Sequence, residues 1–231
     1  MKRPLRAVLA CLGALLVATP AALSQPITLA VPKILASHGL NVGGTGVTIV
    51  DLSNDAVTYR YHAWKRLTPA SNEKLITTVA ALATLRPGFR YETALDGVGT
   101  RTGATFHGDV YLVGAGDPTL TTAGLDTLAK RLATSGVRHI TGRILGDESI
   151  FDRIRFGPQW KPSFYGTESP PLSGLTVNRN TAPNGHIVPY PALAAAKLMR
   201  HALIGHGITV GGKAATASAP FGSPQLSAIY S

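Results

Sequence analysis

The chain has 231 residues, 45% hydrophobic and 15% charged, and its 22 Lys and Arg against 12 Asp and Glu give a formal net charge of +10. That length suffices for one large or two small domains, and the basic residues are scattered, with no cationic run interleaved with aromatics of the kind that binds nucleic acid. The single cysteine, Cys11, lies so near the N-terminus that it excludes a disulfide framework or a cysteine-based metal site from the body of the protein.

Residues 1–24 carry Lys2, Arg3 and Arg6, then the apolar stretch Ala7 to Val17, then small residues ahead of Gln25. This is the pattern of a secretory signal, too short and wrongly flanked for a stable membrane span. The mature chain is therefore expected outside the cytoplasm, in the periplasm or cell wall, without a transmembrane span. Losing those three charges from the formal +10 leaves +7, a balance suited to anionic polymers or surfaces.

Ile27 to Leu40 has helical apolar spacing with Pro32 near its start and ends at Gly39. Gly46 to Leu52 and Val57 to Tyr61 alternate as strands around Ser53-Asn54-Asp55, which predicts a β-hairpin. Thr68 reads as an N-cap with Pro69 at the first helical position, opening a helix through Leu75, Val79, Leu82 and Leu85 that Arg86-Pro87-Gly88 stops. From Tyr91 the texture becomes β-rich. Strands are expected at Tyr91 to Leu95, Thr105 to Val113, Arg138 to Leu145, Leu175 to Asn178 and Gln225 to Tyr230, with helices at Leu125 to Thr134 and Pro191 to Ile204. The fold class is thus α/β, with mixed α+β character.

The chemistry concentrates at Ser71 and Lys74. A serine hydroxyl is a weak nucleophile until a base lies within hydrogen-bond reach, and residues three apart on a helix share a face. Ser71 is the candidate nucleophile and Lys74 the candidate general base. Lysine can act so only when burial or a second cation keeps it uncharged part of the time. The Ser71 amide, in the first helical turn, is a natural oxyanion donor. Other groups read as structural. Gly114-Ala115-Gly116-Asp117 lacks the rest of a phosphate loop, so it is expected to be a turn. His201 and His206 are five apart, which does not suit a metal pair, and neither a metal nor a cofactor is expected. Asp147-Glu148 and Asp152 read as solvated turn charges, and Trp160, Phe164 and Tyr165, in a Pro-rich loop, as packing for the region after Tyr91, with contact to glycan as the alternative.

Four segments occur in order: Pro69 to Leu75 (PASNEKL), Tyr111 to Leu120 (YLVGAGDPTL), Gly142 to Asp152 (GRILGDESIFD) and Leu175 to Asn180 (LTVNRN). Together they resemble the D-alanyl-D-alanine carboxypeptidase/endopeptidase family of low-molecular-mass class C penicillin-binding proteins. The resemblance implies a penicillin-recognising transpeptidase/β-lactamase-like domain, represented in part by residues 25–90, interrupted by a β-rich inserted region at 91–220 and re-entered at 221–231. It implies attack by Ser71 on peptidoglycan stem peptides through an acyl-enzyme, with β-lactams as inhibitors. The family's later Ser-x-Asn and Lys-Thr-Gly triplets do not occur in these residues, so an incomplete site is expected, as in a truncated chain. The alternatives are a non-catalytic remnant that binds cell wall or regulates, and a Ser/Lys esterase or β-lactam hydrolase.

Overall fold

The computed structural model describes residues 26–40, 42–166 and 168–231, so the expected signal at 1–24 lies outside the described residues. Two compact units divide the chain, one ending at Ala81 and the other spanning Leu82–Ser231.

In the first unit, helix α1 (Ile27–Ser37) carries Pro32 internally and buries Leu35. Strands β1 (Val47–Asp51) and β2 (Ala56–Tyr61) pair antiparallel, with a register shift between Ile49 and Val50. Asp51 closes the hairpin by accepting from the Ser53 amide and hydroxyl at 2.9 and 2.7 Å, bonds that hold its carboxyl below the usual range. A 3-10 turn (Ala70–Asn72) leads directly into α2 (Glu73–Leu85). Thr68 does not cap this helix as the sequence suggests. Pro69 is the flanking residue and no side chain caps the turn, because Pro69 is already helical in φ and ψ and pushes the boundary beyond Thr68.

The second unit is built on a mixed sheet. Strand β3 (Glu92–Thr102) turns at Gly103, where φ of +58° suits a residue without Cβ, into antiparallel β4 (Thr105–Val113). Helix α3 (Thr122–Thr134) then leads to β5 (His139–Ile140), and β6 (Ile144–Asp147) follows on the same edge of β4, both parallel to it. Helix α4 (Pro191–Gly205) leads to β7 (Thr209–Val210) and β8 (Ala214–Thr216), which pair parallel with β5 and β6. The last strand, β9 (Gln225–Tyr230), lies antiparallel on the other side of β3.

Helix α3 buries Leu125, Leu128, Ala129 and Leu132, and α4 buries Ala192, Ala195, Ala196, Met199 and Leu203. These i, i+3, i+4, i+7 stripes face Leu95, Phe106, Val110, Leu112 and Ile144 of the sheet in one core. Each fully buried Leu or Ile contributes about 1.5–3 kcal/mol relative to exposure. Helix α4 approaches so closely that a Cβ on Gly146 would lie 2.1 Å from the Ala192 carbonyl oxygen, which explains a glycine inside a buried strand.

Two expected strands differ. Arg138 to Leu145 divides into β5 and β6, because Thr141 to Arg143 leave the ladder and Asp109 accepts from the Arg143 amide at 2.7 Å. Leu175 to Asn178 is not a strand. Asn178, Arg179 and Asn180 take φ of +50°, +55° and +53°, a left-handed turn that asparagine tolerates and its amide side chain stabilises. The Asn180 side chain is buried and donates to the Pro171 carbonyl at 2.7 Å, while Asn178 accepts from the Thr122 amide at 3.2 Å.

Candidate active site

Ser71 lies in the 3-10 turn and Lys74 in the first turn of α2, and the Lys74 Nζ donates to the Ser71 Oγ at 3.0 Å. The residue before the serine, Ala70, has φ of +46°. A left-handed alanine costs roughly 1–2 kcal/mol, and such strain in a turn is typical of sites where geometry is imposed for function. Sequence reasoning did not anticipate this feature, since alanine carries no signal for positive φ. The Asn72 amide donates to the Pro69 carbonyl at 2.9 Å, fixing the turn that presents the hydroxyl.

Both Ser71 and Lys74 are exposed, and no residue of α2 is buried. Leu75, Ile76 and Val79 are 66–67% exposed. The hydrogen bond between Lys74 and Ser71 is therefore made on an exposed face of the helix start.

The other motif segments converge elsewhere, in the second unit. Gly116 and Pro118, Phe151 and Asp152, and Thr176, Arg179 and Asn180 line one cleft of about 550 Å³. Asp117 accepts from the Thr119 amide and hydroxyl at 2.8 and 2.7 Å, the structural turn expected there. Asp147 and Glu148, however, are not solvated turn charges, being only 5% and 7% exposed. Asp147 accepts from the Ser149 and Ala219 amides. Glu148 takes a two-pronged bond from the Arg155 guanidinium at 2.6 and 2.7 Å, plus one from the Ser173 hydroxyl. Burial pushes the Glu148 carboxyl up, but the bonds from Arg155 and Ser173, with the charges of Arg155 and Arg153, hold it below its ordinary value. A buried carboxylate needs such partners, and an arginine seven residues on was a signal the sequence contained. Tyr165 stacks on Phe156 with ring centroids 3.9 Å apart and donates to the Trp160 carbonyl, so this aromatic does pack its loop.

Asp96 stands apart. One of its carboxylate oxygens is buried without a hydrogen-bond partner among the described residues. Burial first, then the charges of Glu92 and Asp147, push its carboxyl up. Among the described residues no helix is long and apolar enough to cross a membrane.

A mixed α/β fold and a Ser-x-x-Lys pair at a helix start are features that β-lactamases and penicillin-binding proteins have in common. A model of the D-Ala-D-Ala carboxypeptidase 3 (S13) family matches residues 28–189, and the chain belongs to that family. It is 36% identical over 153 residues to a D-alanyl-D-alanine carboxypeptidase of Actinomadura sp. (strain R39), covering 64% of this chain and 28% of that protein. It is 31% identical over 199 residues to carboxypeptidase Rv3627c of Mycobacterium tuberculosis (strain ATCC 25618 / H37Rv), covering 77% of this chain and 41% of that protein. The chain thus spans less than half the length of these curated relatives. The crystal structure of penicillin binding protein 4 (dacB) from Haemophilus influenzae shares the fold at a TM-score of 0.71 and 19% identity, over 85% of this chain and 59% of that one. The same protein complexed with a β-lactam gives a TM-score of 0.63 at 17% identity, over 85% and 57% of the two chains.

Proposed function

We propose that this chain carries the nucleophile portion of a serine-type D-Ala-D-Ala carboxypeptidase/endopeptidase acting on peptidoglycan stem peptides, exported by means of residues 1–24 and inhibited by β-lactams. The observation that carries the reading is the 3.0 Å contact between Lys74 Nζ and Ser71 Oγ on a strained turn. Family membership and the β-lactam complex of the H. influenzae protein support it.

On this reading Ser71 Oγ attacks the carbonyl carbon of the penultimate D-alanine as its proton passes to neutral Lys74. The tetrahedral intermediate collapses, the C–N bond breaks, and Lys74 returns the proton to the departing D-alanine amine. Water then attacks the ester carbonyl, losing its proton to Lys74, and the C–O bond to Ser71 breaks, restoring the hydroxyl. The Ser71 amide donates to the developing oxyanion, and each such donor contributes about a hundredfold or more in rate. On this reading residues 25–90 belong to the catalytic domain and 91–220 to the insertion, while residues 221–231, expected to re-enter the catalytic domain, supply β9 to the sheet of the second unit beside β3. A fluorescent penicillin labels the chain on a denaturing gel, and Ser71→Ala abolishes the band. The exposure of Lys74 favours a second reading, a non-catalytic wall-binding module. Absence of the band from a chain with a cooperative melt sinks the first reading in favour of the second.

A further inference from the structure

The second unit carries a further surface, built on α4. Lys197, Arg200 and His201 fall at i, i+3 and i+4 of α4 and so project from one face. With Lys213, from the turn between β7 and β8, they line a cleft of about 470 Å³ whose remaining walls are Ile204 and Ala214. No carboxylate lines it. Asp126, near the end of α4, is taken by the His206 imidazole at 2.7 Å. Lys197, His201 and Lys213 are exposed, and their side chains make no hydrogen bond or ion pair among the described residues.

Arg200 gives the cleft its rigidity. Its Nε donates to the Gly212 carbonyl at 3.1 Å and one terminal nitrogen to the Val210 carbonyl at 3.2 Å. These bonds pin the turn that carries Lys213 against α4 and hold the guanidinium in a fixed orientation, with its second terminal nitrogen left for a ligand. Cations fixed by backbone contacts lose less side-chain entropy on binding than free ones.

We propose that this cleft docks a linear phosphodiester polymer that carries no bases. Charge complementarity sets the sign of the partner, because cations from two separate elements converge with no anion between them. Lysine serves as a point-charge ligand for phosphate and arginine as a planar fork. Nucleic acid is the poorer fit, since no Phe, Tyr or Trp lines the cleft and the one ring in its lining, the His201 imidazole, offers no run of stacking platforms for successive bases. A membrane is also the poorer fit, because the cations surround a concavity, whereas a flat bilayer surface meets protruding ones. The proposal stands independently of the peptidase reading.

The test uses the whole chain and fluorescein-labelled poly(glycerol phosphate), with binding followed by anisotropy from 50 to 300 mM NaCl. The paired exposed substitutions Lys197→Gln and Lys213→Gln are expected to weaken binding at least tenfold at the lowest salt. They should also flatten the slope of log K against log salt by about 1.4, which is about 0.7 for each of two phosphates left unneutralised on a single-stranded polymer. Lys197→Arg with Lys213→Arg retains affinity, and penicillin labelling at Ser71 is the same in all three proteins. Unchanged affinity in the glutamine pair overturns the proposal. So does binding of single-stranded DNA more than tenfold tighter than the polymer, which would reveal base contacts. Capture by phosphatidylglycerol vesicles that the glutamine pair abolishes overturns it in favour of a membrane.

Discussion

Replacing Arg155 by methionine keeps much of the side chain's volume and removes the cation that holds Glu148. The Glu148 side chain is 9% exposed and that of Arg155 22%, and the guanidinium also donates to the Leu172 carbonyl at 2.9 Å. One residue thus ties the loop after β6 to the segment that lines the large cleft. Removing one partner of a buried pair costs about 3–5 kcal/mol, and partial exposure of the arginine puts the expected cost near 3 kcal/mol. For a folded unit of this size each kcal/mol lowers the melting midpoint by about 2–4 °C, so Arg155→Met should fall by about 6–12 °C at pH 7 in a thermal melt followed by circular dichroism. The sign of the pH dependence follows from the depressed carboxyl. In the wild type its stabilisation is fully present above the unfolded value of 4.5 and is lost as pH falls through the lower folded value. In the variant burial is no longer offset, the carboxyl takes up its proton in milder acid, and the penalty fades. The gap between the two proteins must therefore narrow from pH 7 to pH 4, and adding Glu148→Gln to Arg155→Met should recover part of the loss. A fall of less than about 2 °C at pH 7, or a gap that does not change with pH, would refute the reasoning.

Asp96 has the opposite sign. Its raised carboxyl means that the folded state binds the proton more tightly, so stability declines as pH rises from the unfolded value through the folded one. Asp96→Asn should raise the midpoint at pH 7, by an amount corresponding to about 1 kcal/mol for relieving an unpartnered buried group, with no gain at pH 3. Thr121 caps α3 through a 3.4 Å bond from the Gly124 amide, long enough that Thr121→Ala should cost about 0.5 kcal/mol by urea denaturation. Ala70→Gly removes the Cβ from a left-handed position and should stabilise the turn or leave it unchanged, with penicillin labelling at Ser71 as the check, whereas Ala70→Val should reduce labelling severalfold.

What the sequence made legible was local. The four helices, the β1–β2 hairpin and the Ser71–Lys74 spacing each rest on a period of 3.6 or 2 read within a dozen residues. What it hid depends on partners far along the chain. Strand β3 continues past Leu95 because Gly97 and Gly99 oppose Val110 and Gly108 on β4, yet glycines in isolation read as a turn. Strands β5 and β7 have two residues each and exist only by pairing with neighbours distant in sequence. Asn178-Arg179-Asn180 lost its expected strand to side-chain bonds reaching Pro171 and Thr122. At the site, the serine–lysine contact was legible and the exposure of its lysine was not, since burial is a property of everything packed around a helix.

That exposure separates two apolar helical residues. Leu128 on α3 is fully buried and Val79 on α2 is 67% exposed. Leu128→Ala should cost about 2–5 kcal/mol through lost transfer energy and the cavity left behind. Val79→Lys should change stability by no more than about 0.5 kcal/mol, because no packing is disturbed at an exposed site. Equal losses would show that the stripe of Leu75, Ile76 and Val79 is covered in solution. Such a cover bears on chemistry, because a surface seated on Leu75 and Ile76 would exclude water from the adjacent Lys74 and favour its neutral form. Ser71 labelling is the readout that separates the cases. If Val79→Lys leaves both the melt and the labelling unchanged, the serine reacts with its lysine in water. If labelling falls while the melt holds, reactivity depends on a contact across this face.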